Sequence, residues 1–329
     1  MGLLNRILNI ALITFGLLVI ATSLGCQTFS SRQAEALYGP TQGILETVSV
    51  LRRHVPDDTY RFPPAGDFGG RNVYRASLLR LENLERAEAA ALRSGYMAAV
   101  LHFAKARALE RLRAFDLAAQ QYRESARLSD ELWQPALESA ETCDRLDQAI
   151  RVGLELADPI AEGGVAPLPL DPVRVRADLD ERVTQLSLLE REFETSHYRW
   201  IAQEEIERAD VIRAQYFVAM RFILPEGSLL ALQQLQRVAT RHGRSKNRLR
   251  HLLRLGDFYS TLASEYLLAL PPESLDFDPT RFSEIADAAI QLYELVSSHD
   301  GRPEKIEAAR KLEAFLALTL NVDADRFDR

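Results

Sequence analysis

Two cysteines, Cys26 and Cys143, are all that this chain of 329 residues contains. That excludes a disulfide framework and any cysteine set with zinc-site spacing. Histidine is scarce too: of the six, only His197 has a glutamate three residues before it, Glu194. In a helix that spacing puts both side chains on one face, as di-iron bundles require, but such a site needs a second pair and two further carboxylates. No metal is therefore expected. There is no His-Glu-x-x-His, no Gly-x-Ser-x-Gly and no glycine-rich phosphate loop. No enzyme activity and no cofactor are expected, although a site assembled from dispersed residues remains open. Positive charge is in deficit, with 40 Lys and Arg against 47 Asp and Glu and a net charge of −7. A general nucleic-acid binder needs the opposite balance to neutralise phosphates, so no nucleic-acid partner is expected. Glycine and proline are sparse, at 16 and 14, and neither occurs between Val173 and Leu224.

One further absence locates the chain. No charged residue falls between Arg6 and Arg32, and an apolar run from Ile7 to Ala21 leads to Ser23-Leu24-Gly25-Cys26. A positive start, an apolar core and small residues before a cysteine form the three-part layout of a secretory signal. The segment resembles bacterial lipoprotein signals, with Cys26 at the lipidated position, Gly25 before it, and Ser23 where such signals usually carry Leu. The resemblance implies a lipid on Cys26, whose acyl chains contribute about 0.8 kcal/mol per buried methylene. An uncleaved anchor and an ordinary cleaved signal are the alternatives, since about 20 apolar residues span a bilayer. The expected location is the cell envelope, membrane-anchored through lipid or signal and facing outside the cytoplasm.

What is abundant is helix-forming material: 47% hydrophobic and 26% charged residues, rich in Ala, Leu, Arg and Glu. The fold class expected is all-α. Thr41 to His54 reads as a short helix with Ile44, Leu45, Val48 and Leu51 apolar, followed by a Pro/Gly-rich loop over 55–70. From Asn72 to about Ala157 the pattern is helical, with breaks near Gly95, Ala114 and Ser129-Asp130. Cys143 then reads as a small buried hydrophobe in a helix. Residues 114–126, AFDLAAQQYRESA, resemble the second half of a tetratricopeptide repeat, although the Trp-x-x-Leu-Gly of a first helix is missing before them. The resemblance implies that Ala118, Ala119 and Ala126 admit close helix approach while Phe115 and Tyr122 fill the gaps, with Ala104, Ala108 and Leu109 opposite. Leu255-Gly256-Asp257-Phe258-Tyr259 resembles the core of a tetratricopeptide first helix, and Ala288-Ala289-Ile290-x-Leu292-Tyr293 a second. Residues 303–320 open with a proline suited to a first helical position, and Ile306, Ala309, Leu312, Leu316 and Leu320 share a face.

Between these regions lies the linker ADPIAEGGVAPLPLDP. The Gly- and Pro-free stretch after it predicts one very long central helix, on the order of 78 Å if unbroken. Leu179, Leu186, Phe193 and Trp200 recur every seven residues, with Val175, Val183 and Leu189 beside them. Glu204, Glu205, Glu207 and Asp210 interrupt the stripe before Val211 and Ile212 resume it. Such a helix serves either as a core support for the hairpins or as an oligomerising arm, which makes a homo-oligomer possible; a break near Thr195-Ser196 would give two helices.

One stretch runs against the overall acidity. Arg237, Arg241, Arg244, Lys246, Arg248, Arg250 and Arg254 occur with no acidic residue among them. They could meet an anionic partner, since Arg supplies paired donors for phosphate and carboxylate, or form a solvated turn at His242-Gly243 paired with acids elsewhere. The expected organisation is signal 1–25; tether, short helix and loop 26–70; hairpins 71–157; linker 158–171; long central helix 172–224; repeat-like helices 225–320; and tail 321–329. By resemblance the whole is similar to repeat-bearing lipoproteins that organise envelope assembly machines, such as the barrel-assembly lipoprotein. That implies a protein-binding α-solenoid scaffold whose partners are envelope proteins; a membrane-tethered bundle and an envelope enzyme are the alternatives.

Overall fold

The computed structural model describes residues 41–52, 70–94, 97–153 and 170–327. The signal segment with Cys26, most of the loop after His54, and most of the 158–171 linker lie outside them. Among the described residues every regular element is a helix: α1 (41–52), α2 (Gly70–Ala87), α3 (Ala89–Ser94), α4 (Met97–Arg111), α5 (Phe115–Leu128), α6 (Asp130–Ile150), α7 (Pro172–Glu192), α8 (Tyr198–Met220), α9 (Gly227–Arg241), α10 (Arg248–Ala269), α11 (Pro279–Ser297) and α12 (Pro303–Phe327). Neighbouring helices pack in pairs. The chain divides into two compact units, the described residues up to Arg145 and those from Leu146 onward.

In the first unit Ile44 and Leu51 of α1 meet Tyr74 and Leu81 of α2, and Met97, Leu101, Ala104 and Ala108 of α4 complete the core. Helix α4 then reverses into α5 at Ala114, near where the sequence predicts a break. The reversal needs Arg113 in the left-handed region, at φ 63°, and the Ala114 amide donates back to Leu109 O at 3.0 Å. Alanines make the pair tight. Ala118 and Ala119 are fully buried, as are Phe115 and Tyr122, and the Ser125 hydroxyl donates to the α4 backbone at Ala99 O, 2.8 Å away. Cys143 is buried on α6, as expected, and its thiol also contacts Glu110 Oε1 at 3.6 Å. Glu110 accepts from Tyr122 Oη at 2.6 Å and pairs with Arg107 at 3.2 Å.

The second unit corrects the single long helix. The stretch from Pro172 breaks at Phe193–His197, where the alternative reading puts a break near Thr195-Ser196, into α7 and α8, which pack against each other. Serine can end a helix without Gly or Pro because its hydroxyl competes for backbone amides, and Ser196 Oγ accepts from the Tyr198 amide at 3.4 Å. Phe193 stacks on Tyr198 across the turn, ring centres 5.7 Å apart. The seven-residue stripe is half right: Leu179 and Leu186 are buried, whereas Phe193 marks the turn. Glu194 and His197 consequently sit in that turn and not on one helical face.

Asp-Pro pairs start two helices. Asp171 accepts from the Val173 and Arg174 amides, each at 3.1 Å, and Asp278 accepts from Thr280 and Arg281, at 2.9 and 3.2 Å. In both, proline occupies the first helical position, where its missing N–H costs nothing. Ala263, Ala286, Ala289, Tyr293, Val296, Ala308 and Phe315 form the core of α10 to α12. The α12 face is the second correction. Ile306, Ala309, Leu316 and Leu320 are exposed, and Ala308, Phe315 and Val322 are buried in their place. The helix is apolar on two faces, and the one with small Ala308 and aromatic Phe315 fits against Tyr293, with ring centres 6.5 Å apart.

Gly256 explains the close α10–α11 approach: a Cβ there would stand 3.1 Å from Tyr293 Cε1. That ring cannot yield easily, because its hydroxyl donates to Asp257 Oδ1 at 2.9 Å. Gly256→Leu is expected to destabilise the second unit by about 1–3 kcal/mol through overpacking, outweighing the gain in helix propensity of about 1 kcal/mol. A lower urea midpoint at unchanged slope would show it; an unchanged or higher midpoint would contradict it.

Candidate functional site

The acidic interruption of the apolar stripe becomes the most polar part of the interior. Glu205, Glu207 and Asp210 of α8 are buried, as are Arg213 and His251. Burying a carboxylate is costly unless it is paired and hydrogen-bonded, and here the partners come from the turn between α9 and α10. Glu207 Oε2 accepts from Ser245 Oγ at 2.6 Å. Its Oε1 accepts from Asn247 Nδ2 at 3.0 Å and faces His251 Nε2 at 2.6 Å. Asp210 Oδ2 binds both Arg241 Nη1 and His242 Nε2 at 2.9 Å. Since a carboxylate only accepts, Nε2 carries the hydrogen in both imidazoles. Lys246 Nζ lies 2.7 Å from Glu204, and Arg213 reaches across to Asp180 of α7 at 2.7 Å.

Burial pushes both carboxyls upward, and for each it is the largest single influence. The hydrogen bonds and charges of the turn outweigh it. His251, Ser245 and Asn247 together hold Glu207 below the usual range, while His242 and Arg241, with Arg213, do the same for Asp210.

A serine, a histidine and a carboxylate thus meet, but in an order unsuited to acyl transfer. Ser245 and His251 both address Glu207, so the carboxylate stands where a catalytic imidazole would have to be. The arrangement is a clamp: it fixes the α9–α10 turn on α8. Among the described residues no group of three or more His, Cys, Asp or Glu has the geometry to hold a metal ion.

The predicted basic cluster is split by this clamp. Arg241, itself exposed, pairs with buried Asp210, and half-buried Lys246 pairs with Glu204. Arg237, Arg244 and Arg248 are exposed. Arg250 and Arg254 are partly covered, and burial, with Arg250 adding repulsion, pushes the Arg254 guanidinium down. Cys26 lies outside the described residues. Sequence reasoning missed His242, Ser245, Asn247 and His251 as partners of α8. The signal available was the run of acids inside an otherwise apolar stripe, 31 to 44 residues away from the groups that satisfy it. A second polar knot lies on α10: Asp257 accepts from Tyr293 and, at 2.8 Å, from Lys311 of α12. Burial and then the Asp257 charge push the Tyr293 hydroxyl far up. Beside it, α11 and α12 flank an open groove of about 630 Å³ lined by Phe277, Phe282, Ile290, Asp287, Thr319 and Val322.

No protein-family model matches the chain, and no curated protein matches it in sequence.

Because the folded Glu207 and Asp210 titrate below their ordinary values, their stabilisation is complete above the unfolded value of about 4 and is lost as pH falls through the folded one. Urea midpoints are therefore expected to drop on acidification below about pH 5. Glu207→Ala leaves His251, Asn247 and Ser245 without their acceptor, at a cost of about 3 kcal/mol near neutral pH, and should flatten that acid slope. A variant as stable as the wild type, with the same slope, would show that the clamp contributes nothing.

Proposed function

We propose that the chain is an exported, lipid-anchored helical-repeat scaffold that binds other proteins in the bacterial cell envelope. The N-terminal layout from Met1 to Cys26 supports the address. The observation that carries the role is the way tetratricopeptide-like positions pack. Ala118, Ala119, Phe115 and Tyr122 are all buried in the α4–α5 hairpin. Gly256 of α10 lies against Tyr293 of α11. Small-against-large packing of this kind supports a tetratricopeptide-like solenoid, in which each hairpin is covered by the next and a broad outer surface is left for partners. A fold of this type hosts many roles, so the specific partner must come from its surface. Exposed Arg237, Arg244 and Arg248 favour an acidic one.

The reading as an oligomerising bundle rested on an uninterrupted helix over 172–224. The turn at Phe193–His197 removes that support.

The test is expression of the full chain in its native host with a reversible crosslinker, comparing wild type with Cys26→Ser. Wild type is expected to carry lipid on Cys26 and to co-purify with an envelope protein; the variant should lose both and leave the membrane fraction. An unmodified, uncleaved N-terminus with only self-crosslinks would overturn the proposal.

A further inference from the structure

The helices of the second unit end in two very different faces. Register follows from contacts between them. Asp180 pairs with Arg213, and Glu190 with Gln203, so α7 and α8 are antiparallel with Asp171 level with Phe222. Helices α8 and α10 run parallel: Glu207 meets His251 and Arg221 meets Glu265, each pair 44 residues apart. Tyr266 Oη accepts from the Asp278 amide at 2.9 Å, closing the α10–α11 loop at the same level. Helix α11 runs back along α10, with Tyr293 on Asp257 and Asp278 on Tyr266, and α12 returns along α11 and so parallel to α10; Lys311 on Asp257 sets the register, with Leu320 level with Tyr266. The start of α7, the α8–α9 turn, the α10–α11 loop and the last turns of α12, which runs on to Phe327, therefore share one end.

That end is apolar where solvent would favour polar side chains. Leu170 is 74% exposed, Phe222 78%, Ile223 65%, Leu268 84%, and Leu275 fully exposed, with Val173 beside them. At the opposite end the turns 193–197, 242–247 and 298–302 themselves carry no exposed large hydrophobic among the described residues, and only Leu295 and Ile306 are exposed on the helices flanking the last of them. The tip is rigidly built. Glu226 takes a left-handed φ of 53°, and a Cβ at Gly227 would stand 2.1 Å from Arg221 O, so the chain must turn there with Phe222 and Ile223 outermost. Arg221 is anchored to Glu265 and lies over the Phe258 ring at 5.4 Å.

We propose that this end rests on a lipid bilayer, its apolar tips entering the boundary between headgroups and acyl chains. The inference depends on the membrane-anchored reading above: the apolar run before Cys26 brings the chain to a bilayer, and this end supplies a second, weaker contact with the same surface. Contiguous exposed apolar area marks an interaction face. Here it is spread over separate turn tips that project along the helix axes, a shape that suits a soft planar phase. Charge selects the lipid. Around the tips exposed Arg174 and Arg281 are outnumbered by Asp171, Glu226, Glu273, Asp276 and Asp278, a net acidic rim that zwitterionic headgroups can accommodate and strongly anionic ones would repel. The acyl chains implied on Cys26 hold the chain at the bilayer, and the tip adds a second contact that sets how the second unit faces it.

The test uses the full, anchored chain reconstituted into phosphatidylcholine–phosphatidylethanolamine vesicles, with an environment-sensitive fluorophore on Leu275→Cys or, at the opposite end, on Thr195→Cys. Flotation reports the anchor, and quenching by spin-labelled lipid reports the tip. The expected result is that both proteins float, that the probe at 275 shifts to the blue and loses most of its emission to the quencher, and that the probe at 195 does neither. Adding Phe222→Asp, an exposed change that folding tolerates, should restore the emission at 275 while flotation persists. Floating chains with both probes equally unquenched overturn this inference alone; a probe at 275 that is blue-shifted but unquenched points to a protein surface and overturns it too. Chains that do not float overturn it together with the anchored reading.

Discussion

Two carboxylates placed inside the second unit dictate how its hairpins meet. Glu207 and Asp210 sit on α8 with almost no solvent, and an uncompensated buried charge costs several kcal/mol. Their hydrogen-bond partners lie on one short stretch, from the end of α9 at Arg241 to the first turn of α10 at His251, with Arg213 of α8 beside Asp210. The α9–α10 turn must therefore close on α8 at one register, and that register carries through α10, which runs parallel to α8 with the same offset at Arg221 and Glu265. Apolar packing alone would let neighbouring helices slide by a turn at little cost; a network of directional contacts does not.

The other organising device is residue size. In the first unit alanines on α5 admit the α4 backbone to hydrogen-bonding distance of Ser125. In the second, Gly256 admits the Tyr293 ring, and Ala308 on α12 lets Phe315 reach that ring from the other side. Each close approach leaves one large side chain to fill, and the large side chain is then tied by a polar tip: Tyr122 to Glu110, Tyr293 to Asp257.

Much of this was legible in the sequence. Helical class, the breaks near Ala114 and Ser129, the turn at His242-Gly243 and the proline start at Pro303 follow from local chemistry that depends on few residues, while the break expected near Gly95 lies outside the described residues. What was not legible depended on distant ones. The reversal at Phe193–His197 was legible only as an alternative, a break near Thr195-Ser196, because it is made by a serine and a tilted aromatic contact and not by Gly or Pro. Helix α12 offered two apolar faces, and the choice between them was made by the shape of α11. The acids of α8 read as an interruption because their partners lie beyond another whole helix. The pairing of this basic turn with acids elsewhere was legible as one of two readings, but not that its acids would be Asp210 and Glu204 of α8.

Cys143 has a quieter significance. Its sulfur has no solvent contact, and its hydrogen is directed at Glu110, which also engages Tyr122 and Arg107. Oxidants and disulfide-exchange catalysts act on accessible thiolates, so this thiol is sheltered by its location. The first unit thereby shelters a free thiol in its interior, and only an opening large enough to expose Cys143 would admit an oxidant or a disulfide-exchange catalyst.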